Sequence, residues 1–241
     1  MIANIKKYSW VLVPTIAFGG LFYPLLGLAM IGIMLGIILI GLFNGKYWCG
    51  NLCPHGSLFD VLISKFSISR KIPAFFKSSF LKWGFFIFFM GMFSRRLMNV
   101  MATWGSEEFL DNLGLMFTMQ YLIMPTILGV SLAILISPRT WCSFCPMGAM
   151  GQIMGKLGNV LGINRTFEQR ITINQPTECR ECGLCANNCP LELEPYTNFD
   201  QENRFDDDRC IKCAECVEAC PINILELKKR DEVTKDTVRR V

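Results

Sequence analysis

Eight cysteines in the last third of this 241-residue chain constrain it more than any other feature. They form two runs with the same spacing, CxxCxxCxxxC, and each run is followed directly by proline. The runs are Cys179, Cys182, Cys185, Cys189 and Cys210, Cys213, Cys216, Cys220. Four thiolates are the usual ligand set of a four-iron four-sulfur (4Fe-4S) cluster. The pattern therefore predicts two such clusters.

The doubled run is similar to that of bacterial two-cluster ferredoxins, in which the fourth cysteine of each run binds the other cluster. This similarity implies crossed ligand sets. The first cluster would be held by Cys179, Cys182, Cys185 and Cys220, and the second by Cys210, Cys213, Cys216 and Cys189. A segment this small buries little apolar surface, so we expect the clusters to supply much of its folding free energy.

Two other interpretations of these cysteines are weaker. Paired CxxC motifs also form zinc ribbons, but a fourth cysteine ten residues after the first and followed by proline, found twice, fits zinc poorly. Disulfides are disfavoured because the pattern is local and because this segment is expected on the reducing side of a membrane.

The first 140 residues are unusually apolar. The whole chain is 51% hydrophobic, and no charged side chain occurs from Ser9 to Asn44. A membrane crossing needs about 20 residues, so this stretch predicts two helices, 10–22 and 25–43, which meet near Tyr23 and Pro24. Further spans are predicted from Phe80 onward and over 113–136. The sequence thus predicts four spans.

The charges of the connecting segments predict an orientation. The N-terminus and the 45–79 loop are rich in lysine and arginine, whereas the connection after the third span, 105–111, is acidic. The positive-inside rule then places both termini and the cysteine-rich segment in the cytoplasm, in a multi-pass protein of the cytoplasmic (inner) membrane. These flanks account for the net charge of +4, so no nucleic-acid partner is expected.

The remaining four cysteines lie in two similar turns after the second and fourth predicted spans. Cys49 and Cys53 belong to a turn at 46–56, and Cys142 and Cys145 belong to one at 140–148. Each turn reads Trp-Cys, two or three residues, then Cys-Pro-x-Gly. We interpret this as an internal repeat, in which each unit is a helical hairpin followed by a cysteine turn and a helix that begins at proline.

Both turns are expected at the cytoplasmic surface, where four thiols could hold one metal centre. Iron, an iron-sulfur cluster, zinc or monovalent copper all suit such a site. Buried cysteines without a ligand are the alternative, and the preserved Trp, Cys, Pro and Gly argue against it. Because one turn is CxxxC and the other CxxC, one pair could instead act as a dithiol.

Single residues add weaker predictions. His55 is the only histidine in the chain and follows Cys53-Pro54, so it is a candidate for accepting a quinol proton or for capping the metal site. A polar turn residue at the membrane interface is an equally good interpretation. Arg95 and Arg96, late in the third span, are expected to extend to the outer surface.

The predicted fold is an all-α four-helix transmembrane module made of two repeated hairpins, followed by a small α+β domain of the bacterial two-cluster ferredoxin type. The predicted boundaries are 1–165 for the membrane module, 166–226 for the ferredoxin-like domain and 227–241 for a charged tail.

With these features the chain resembles the NapH family, and its central region is similar to those of NosR-like and CcoG-like proteins. The resemblance implies a membrane subunit that relays electrons between quinone and a partner redox protein, with membrane lipid, quinone or quinol, and iron-sulfur or cytochrome subunits as partners. It implies quinol oxidation, or the reverse, within the helical module.

Two alternatives remain open. One is a membrane reductase or cofactor-assembly factor that handles copper or iron at the turn cysteines. The other is a non-catalytic anchor and electron wire of a larger complex. The sequence leaves the direction of transfer, the quinone type and the identity of any turn centre undetermined, because cluster potentials depend strongly on their surroundings.

Overall fold

The computed structural model describes residues 2–197, 199–200 and 203–229, and most of the predicted charged tail, 230–241, lies outside the described residues. The chain is mainly helical, as predicted. The helices are α1 Ile2–Tyr8, α2 Leu12–Phe22, α3 Ala29–Asn44, α4 Tyr47–Asn51, α5 Pro54–Val61, α6 Ala74–Lys77, α7 Ser79–Met101, α8 Phe109–Tyr121, α9 Gly129–Leu135, α10 Thr140–Phe144, α11 Pro146–Val160, α12 Asn164–Phe167, α13 Leu184–Asn187 and α14 Glu215–Glu218. The strands are β1 Gln169–Ile173 and β2 Leu225–Lys229. Short 3-10 helices span Ser9–Val11, Pro24–Leu28, Ile63–Lys65 and Pro176–Glu178, and a π-helix spans Leu122–Leu128.

The chain forms two compact units. The first contains Met1–Ile37 and Asn51–Met150, and the second contains Ile38–Gly50 and Gly151–Val241. The second unit therefore combines the end of α3, the start of α4 and most of α11 with the cysteine-rich segment.

Two helical segments among the described residues are long and apolar enough to cross a membrane. They are Pro24–Asn44, with a mean hydropathy of 2.7, and Phe109–Leu135, with 1.6. Both match predicted spans. The other two predicted spans do not pass this test for physical reasons. Helix α2 continues without a break from α1 and the 3-10 helix Ser9–Val11, so the helical run is long enough, but it begins with the charged residues Lys6 and Lys7. Helix α7 has 23 residues but contains Lys82, Arg95 and Arg96.

In the first unit, glycines allow the segment 12–28 to approach α8 closely. A Cβ atom on Gly27 would collide with the carbonyl oxygen of Gly114, and one on Gly114 would collide with the carbonyl oxygen of Pro24. Gly20 lies against the side chain of Thr118 in the same way.

The π-helix lies where Pro125 interrupts the second candidate span. Proline lacks an N–H and collides with the carbonyl of the preceding turn, so a local π-helical segment accommodates it. The hydroxyl of Thr126 donates to the freed carbonyl of Tyr121 at 2.9 Å. A π-helix pairs each carbonyl with the N–H five residues further on, so the chain remains helical past Pro125 although this residue has no N–H.

In the second unit, β1 and β2 form an antiparallel pair whose register runs from Gln169↔Lys229 to Ile173↔Leu225. Both cysteine runs lie between these strands. Ile171, Ile173 and Leu225 are buried. The strand pair therefore brings the two ends of the cysteine-rich segment together, and these side chains form a small apolar core.

Candidate iron-sulfur sites

The first site is a cavity of about 230 Å³ in the second unit. Four thiol-bearing residues line it, namely Cys179, Cys182, Cys185 and Cys220. Apolar side chains of Ile173, Leu184 and Ile224 complete much of the wall. Three of these cysteines come from one run and the fourth comes from the other, the same four residues that the similarity to two-cluster ferredoxins implies as one ligand set.

The second site has the reciprocal composition. Its cavity is lined by Cys189, Cys210, Cys213 and Cys216. The remaining wall is apolar and includes Leu191, Leu193 and Phe205, all of which are buried. Cys216 is itself buried, whereas Cys182 of the first site is exposed.

The two cysteine runs share an unusual backbone conformation. Glu181 and Lys212, at equivalent positions, have φ of 48° and 57°, and Gly183 and Ala214 have φ of 73° and 66°. Glu192 and Asn223, each three residues after the last cysteine of its run, both have φ of 52°. Left-handed residues in such loops turn successive N–H groups to one side and form anion-binding concavities typical of iron-sulfur sites. The backbone thus repeats as closely as the cysteine spacing does.

Backbone N–H groups are directed at several of the sulfurs. Those of Leu191, Glu192 and Leu193 donate toward the Cys189 sulfur, and that of Lys212 donates toward Cys210. Such hydrogen bonds stabilise negative charge on thiolate sulfur and tune cluster potentials.

Burial opposes thiolate formation in the absence of a cation. It raises the pKa of the Cys210 thiol to about 11 and raises that of Cys216 further. A cluster would supply the positive charge that makes thiolates favourable, and its binding would release protons. Four thiols around one cavity, with N–H donors to the sulfurs, fit a 4Fe-4S cluster.

The cysteine turns after the two candidate spans also have matching local structure. Cys53 and Cys145 are extended, with φ and ψ of −64° and 121° and of −53° and 129°. Each precedes a proline, Pro54 or Pro146, that begins α5 or α11. Proline requires an extended preceding residue and suits the first helical position, so the Cys-Pro pairs determine both turns.

The four turn cysteines are divided between the units. Cys53, Cys142 and Cys145 belong to the first, and Cys49 belongs to the second. Cys142 and Cys145 pack against the buried Trp141 and Phe144. Across the described residues, no three Cys, His, Asp or Glu side chains are spaced to hold a single metal ion.

A buried ion pair beside Cys142 was not predicted from the sequence. Arg139, 1% exposed, donates to both carboxylate oxygens of Asp60, at 2.9 Å from Nε to Oδ1 and 2.7 Å from Nη2 to Oδ2. Its Nη1 lies 3.6 Å from the Cys142 sulfur. One sequence signal could have found it, because Arg139 precedes Cys142 by three residues as Lys46 precedes Cys49.

His55 is buried at the start of α5 and is 6% exposed. Its Nε2 lies 3.0 Å from the hydroxyl of Thr126, and its ring meets the edge of Tyr121. Burial lowers the pKa of His55 to about 3. The imidazole is therefore neutral at neutral pH, with Thr126 as its hydrogen-bond partner.

Comparison with known proteins identifies domains along the chain. Residues 178–225 match the family described as "4Fe-4S dicluster domain". The chain carries 4Fe-4S ferredoxin domains. The family described as "4Fe-4S binding domain" matches twice, over 26–73 and 118–164. Each of these two matches contains one cysteine turn, and a family that matches both halves agrees with the internal repeat.

Several relatives resemble most of the chain. Two proteins of Methanocaldococcus jannaschii, "Uncharacterized protein MJ0750" and "Uncharacterized protein MJ0749", are 26% and 24% identical over 76% and 82% of this chain and 72% and 70% of their own length. The "Putative electron transport protein YccM" of Escherichia coli is 24% identical over 79% of this chain and 53% of its own length.

A further relative resembles only the cysteine-rich segment. "NADH-quinone oxidoreductase subunit I" of Pelobacter propionicus is 35% identical over 22% of this chain and 34% of its own length. No solved structure matches this chain.

Proposed function

We propose that this protein is a membrane-embedded electron-transfer subunit that relays electrons between the quinone pool and a partner redox protein. The observation that carries the proposal is the pair of four-thiol cavities in a chain with two apolar segments long enough to cross a membrane. Its similarity to a putative electron transport protein and to a quinone oxidoreductase subunit supports an electron-transfer role.

In this proposal two 4Fe-4S clusters are bound in the crossed arrangement. Cys179, Cys182, Cys185 and Cys220 hold the first, and Cys210, Cys213, Cys216 and Cys189 hold the second. Bound clusters supply one-electron chemistry. The protein positions them, directs N–H groups to their sulfurs and limits the access of water.

The membrane part is proposed to be a four-helix module of two repeated hairpins, with the ferredoxin-like domain and both termini in the cytoplasm. Helices α2 and α7 would join the two apolar segments as less apolar members. The doubled match to a 4Fe-4S binding family supports a further iron-sulfur or other metal centre held by Cys49, Cys53, Cys142 and Cys145.

Quinol oxidation, or quinone reduction, is proposed to occur within this module, and His55 remains the predicted acceptor for a quinol proton. Its neutral imidazole has a lone pair available for that role, although its low pKa makes it a weak base. Replacement by Gln tests the role: a proton acceptor would lose quinol-dependent activity, while a residue that only bonds Thr126 would keep it.

The decisive experiment is anaerobic purification in detergent, followed by iron and sulfide analysis and EPR before and after addition of a quinol. We expect two 4Fe-4S signals that the quinol reduces. If no quinol reduces the clusters, but the protein supports turnover with a soluble donor and a copper acceptor, the function is metal reduction. Clusters reduced only through a copurifying subunit would indicate an anchor and electron wire.

A further inference from the structure

The hydroxyl of Thr126 lies between two polar groups of the first unit. It is 3.0 Å from Nε2 of His55 and 2.9 Å from the backbone carbonyl oxygen of Tyr121, to which it donates. Tyr121 lies four residues before Pro125, so its carbonyl lacks the N–H donor that an α-helix would place there. All these residues belong to the segment 51–150 of the first unit, so the hydrogen-bonded chain lies within one unit.

The single hydrogen of the Thr126 hydroxyl identifies the tautomer of His55. A threonine hydroxyl has one hydrogen, and at Thr126 this hydrogen is directed at a carbonyl, which can only accept. The Thr126 oxygen must therefore accept from the histidine ring, and Nε2 must carry the ring hydrogen. The buried ring is neutral and has only one N–H, so Nδ1 keeps its lone pair.

Aromatic packing holds the ring in this orientation. His55 is 6% exposed, and its ring meets the edge of Tyr121 with 4.5 Å between the ring centroids. The ring of Phe59 lies on another side, at 6.1 Å. Among the described residues, none makes a hydrogen bond to Nδ1. Nδ1 is thus an acceptor to which this part of the chain offers no donor.

The hydroxyl of Tyr121 is unpaired beside this ring. The Tyr121 residue is 4% exposed, and its hydroxyl oxygen makes no hydrogen bond within the described part of the chain. A buried hydroxyl without a partner is costly, which favours a ligand that completes it. A quinol hydroxyl can donate to a ring nitrogen and accept from a phenol. One such group therefore matches both Nδ1 of His55 and the hydroxyl of Tyr121.

We propose that Thr126 is a positioning residue that holds His55 as the Nε2–H tautomer, and that Nδ1 of His55 and the hydroxyl of Tyr121 bind a quinol hydroxyl. Thr126 acts through the histidine and does not contact the quinol. The binding role rests on the proposed function, because it needs quinol as the substrate of the helical module. The binding step consists of hydrogen bonds alone, so no covalent bond breaks and no electron is transferred in it.

Nitrogen NMR of the histidine ring tests the tautomer directly. His55 is the only histidine of the chain, so protein that contains isotope-labelled histidine and is purified without a histidine tag gives one pair of ring signals. Nε2 is recognised because it couples to both ring C–H hydrogens. In the whole chain with oxidised clusters bound, we expect a directly bonded hydrogen on Nε2 and none on Nδ1.

Substitutions of threonine test the role of the Thr126 hydroxyl. Thr126→Ser keeps the hydroxyl and should keep the ring spectrum of the natural protein. Thr126→Val loses the acceptor, so the Nε2–H signal should disappear through exchange with water. Thr15→Val is the matched control, because the exposed Thr15 hydroxyl also donates to a backbone carbonyl, that of Val11 at 2.9 Å. This control should leave both ring signals unchanged.

Addition of a quinol monoether tests the binding role. The monomethyl ether of a short-chain quinol keeps one hydroxyl but cannot be oxidised to a quinone, so the clusters stay oxidised. We expect it to shift the Nδ1 signal and to change Nε2 little. Tyr121→Phe should keep the tautomer and raise the monoether concentration for half of this shift by about tenfold, the effect of losing one hydrogen bond.

The rate of cluster reduction by the unmodified quinol tests the consequence for electron transfer. It should be about tenfold lower in Thr126→Val than in Thr15→Val, since a small misplacement of a binding group lowers rates steeply. Iron and sulfide content and reduction by dithionite should be equal in the two variants, and Thr126→Ser should restore the natural rate.

The outcomes are distinct. A hydrogen on Nδ1 in the natural protein, or an Nε2–H signal that persists in Thr126→Val, would contradict the tautomer assignment. If the monoether shifts Nε2 instead of Nδ1, or if Thr126→Val is reduced as fast as Thr15→Val, the binding role is wrong while the proposed function stands. If quinol reduces no cluster in the natural protein, the proposed function and the binding role fail together, and the ring spectrum decides the tautomer by itself.

Discussion

Arg139 and Asp60 form a two-point ion pair across 79 residues of chain, with Nε–Oδ1 at 2.9 Å and Nη2–Oδ2 at 2.7 Å. Asp60 lies on α5, which begins within the first cysteine turn, and Arg139 directly precedes α10, which begins the second turn. The pair therefore connects the two repeats, and Arg139 also contacts the sulfur of Cys142.

Removal of the Asp60 carboxylate should destabilise the fold, because the Arg139 guanidinium is buried. The Arg139 side chain is 2% exposed, so Asp60→Asn removes the carboxylate that compensates a buried cation, which costs about 3 to 5 kcal/mol. Thermal unfolding in detergent measures the loss. Asp111→Asn, at an exposed position on α8, is the control and should unfold near the temperature of the natural protein. Equal losses in the two variants would contradict a structural role for the pair.

The close contact of α8 with Pro24–Leu28 should tolerate no added methyl group. Gly114→Ala places a Cβ against the carbonyl oxygen of Pro24, and overpacking of this kind costs about 1 to 3 kcal/mol. Gly91→Ala on α7 meets nothing within 4 Å and should have little effect. Chemical unfolding in mixed micelles compares them, and a loss in Gly91→Ala as large as in Gly114→Ala would show that the contact is unimportant.

The proposed crossed ligand sets predict which cluster each fourth cysteine supports. Cys220→Ser should remove the cluster of Cys179, Cys182 and Cys185, and Cys189→Ser should remove the other, each with loss of about half of the ferredoxin-type iron. EPR of the remaining cluster identifies the survivor by its potential. Uncrossed binding would be revealed if Cys220→Ser and Cys210→Ser abolished the same signal.

Ala214 and Gly183 occupy equivalent left-handed positions in the two cysteine runs. Exchanging alanine and glycine at these positions should change the stability of the two sites in opposite directions. Ala214 adopts φ of 66° and Gly183 adopts 73°, a region that costs residues with a side chain about 1 kcal/mol or more. Ala214→Gly should stabilise the second site, and Gly183→Ala should destabilise the first by a similar amount. The rate at which visible absorbance bleaches on heating measures both, and a faster loss in Ala214→Gly would refute the assignment of strain.

The ion pairs of Glu168 should make stability depend on pH. Burial alone would raise the pKa of Glu168, but Lys212 and Arg170, the charged groups in contact with it, lower it below its usual 4.5. A lowered carboxyl pKa adds stability above the unfolded value, and this stability disappears as the pH falls through the folded value. Glu168→Gln should therefore be less stable than the natural protein at about pH 7, with a difference that shrinks below about pH 4.5.

Tryptophan fluorescence during thermal unfolding follows this difference, and Glu178→Gln, at an exposed position, is the control with no such trend. If the stability difference between Glu168→Gln and the natural protein grew as the pH fell, the pH dependence would have the opposite sign. That result would rule out a stabilised Glu168 carboxylate.

Local features of this chain can be predicted from its amino-acid sequence. The spacing of the eight C-terminal cysteines predicts the two short ligand loops, because such turns depend on residues close in sequence. That each cavity takes its fourth cysteine from the other run is implied only by the similarity to two-cluster ferredoxins. The Cys-Pro pairs likewise predict the starts of α5 and α11, and hydropathy predicts the two most apolar segments. Helix α7 is harder to predict as a span, since Lys82, Arg95 and Arg96 interrupt an otherwise apolar pattern.

The amino-acid sequence alone predicts iron-sulfur chemistry and the two Cys-Pro helix starts, because thiol spacing and proline act over a few residues. The long-range contacts are evident only in the folded chain: Asp60 with Arg139, Asn44 with Lys212, and Gly50 with Ile211. They could not be predicted because a buried ion pair or a glycine contact leaves no periodic signal along the chain. Each arises when packing brings together residues that are 79 to 168 positions apart.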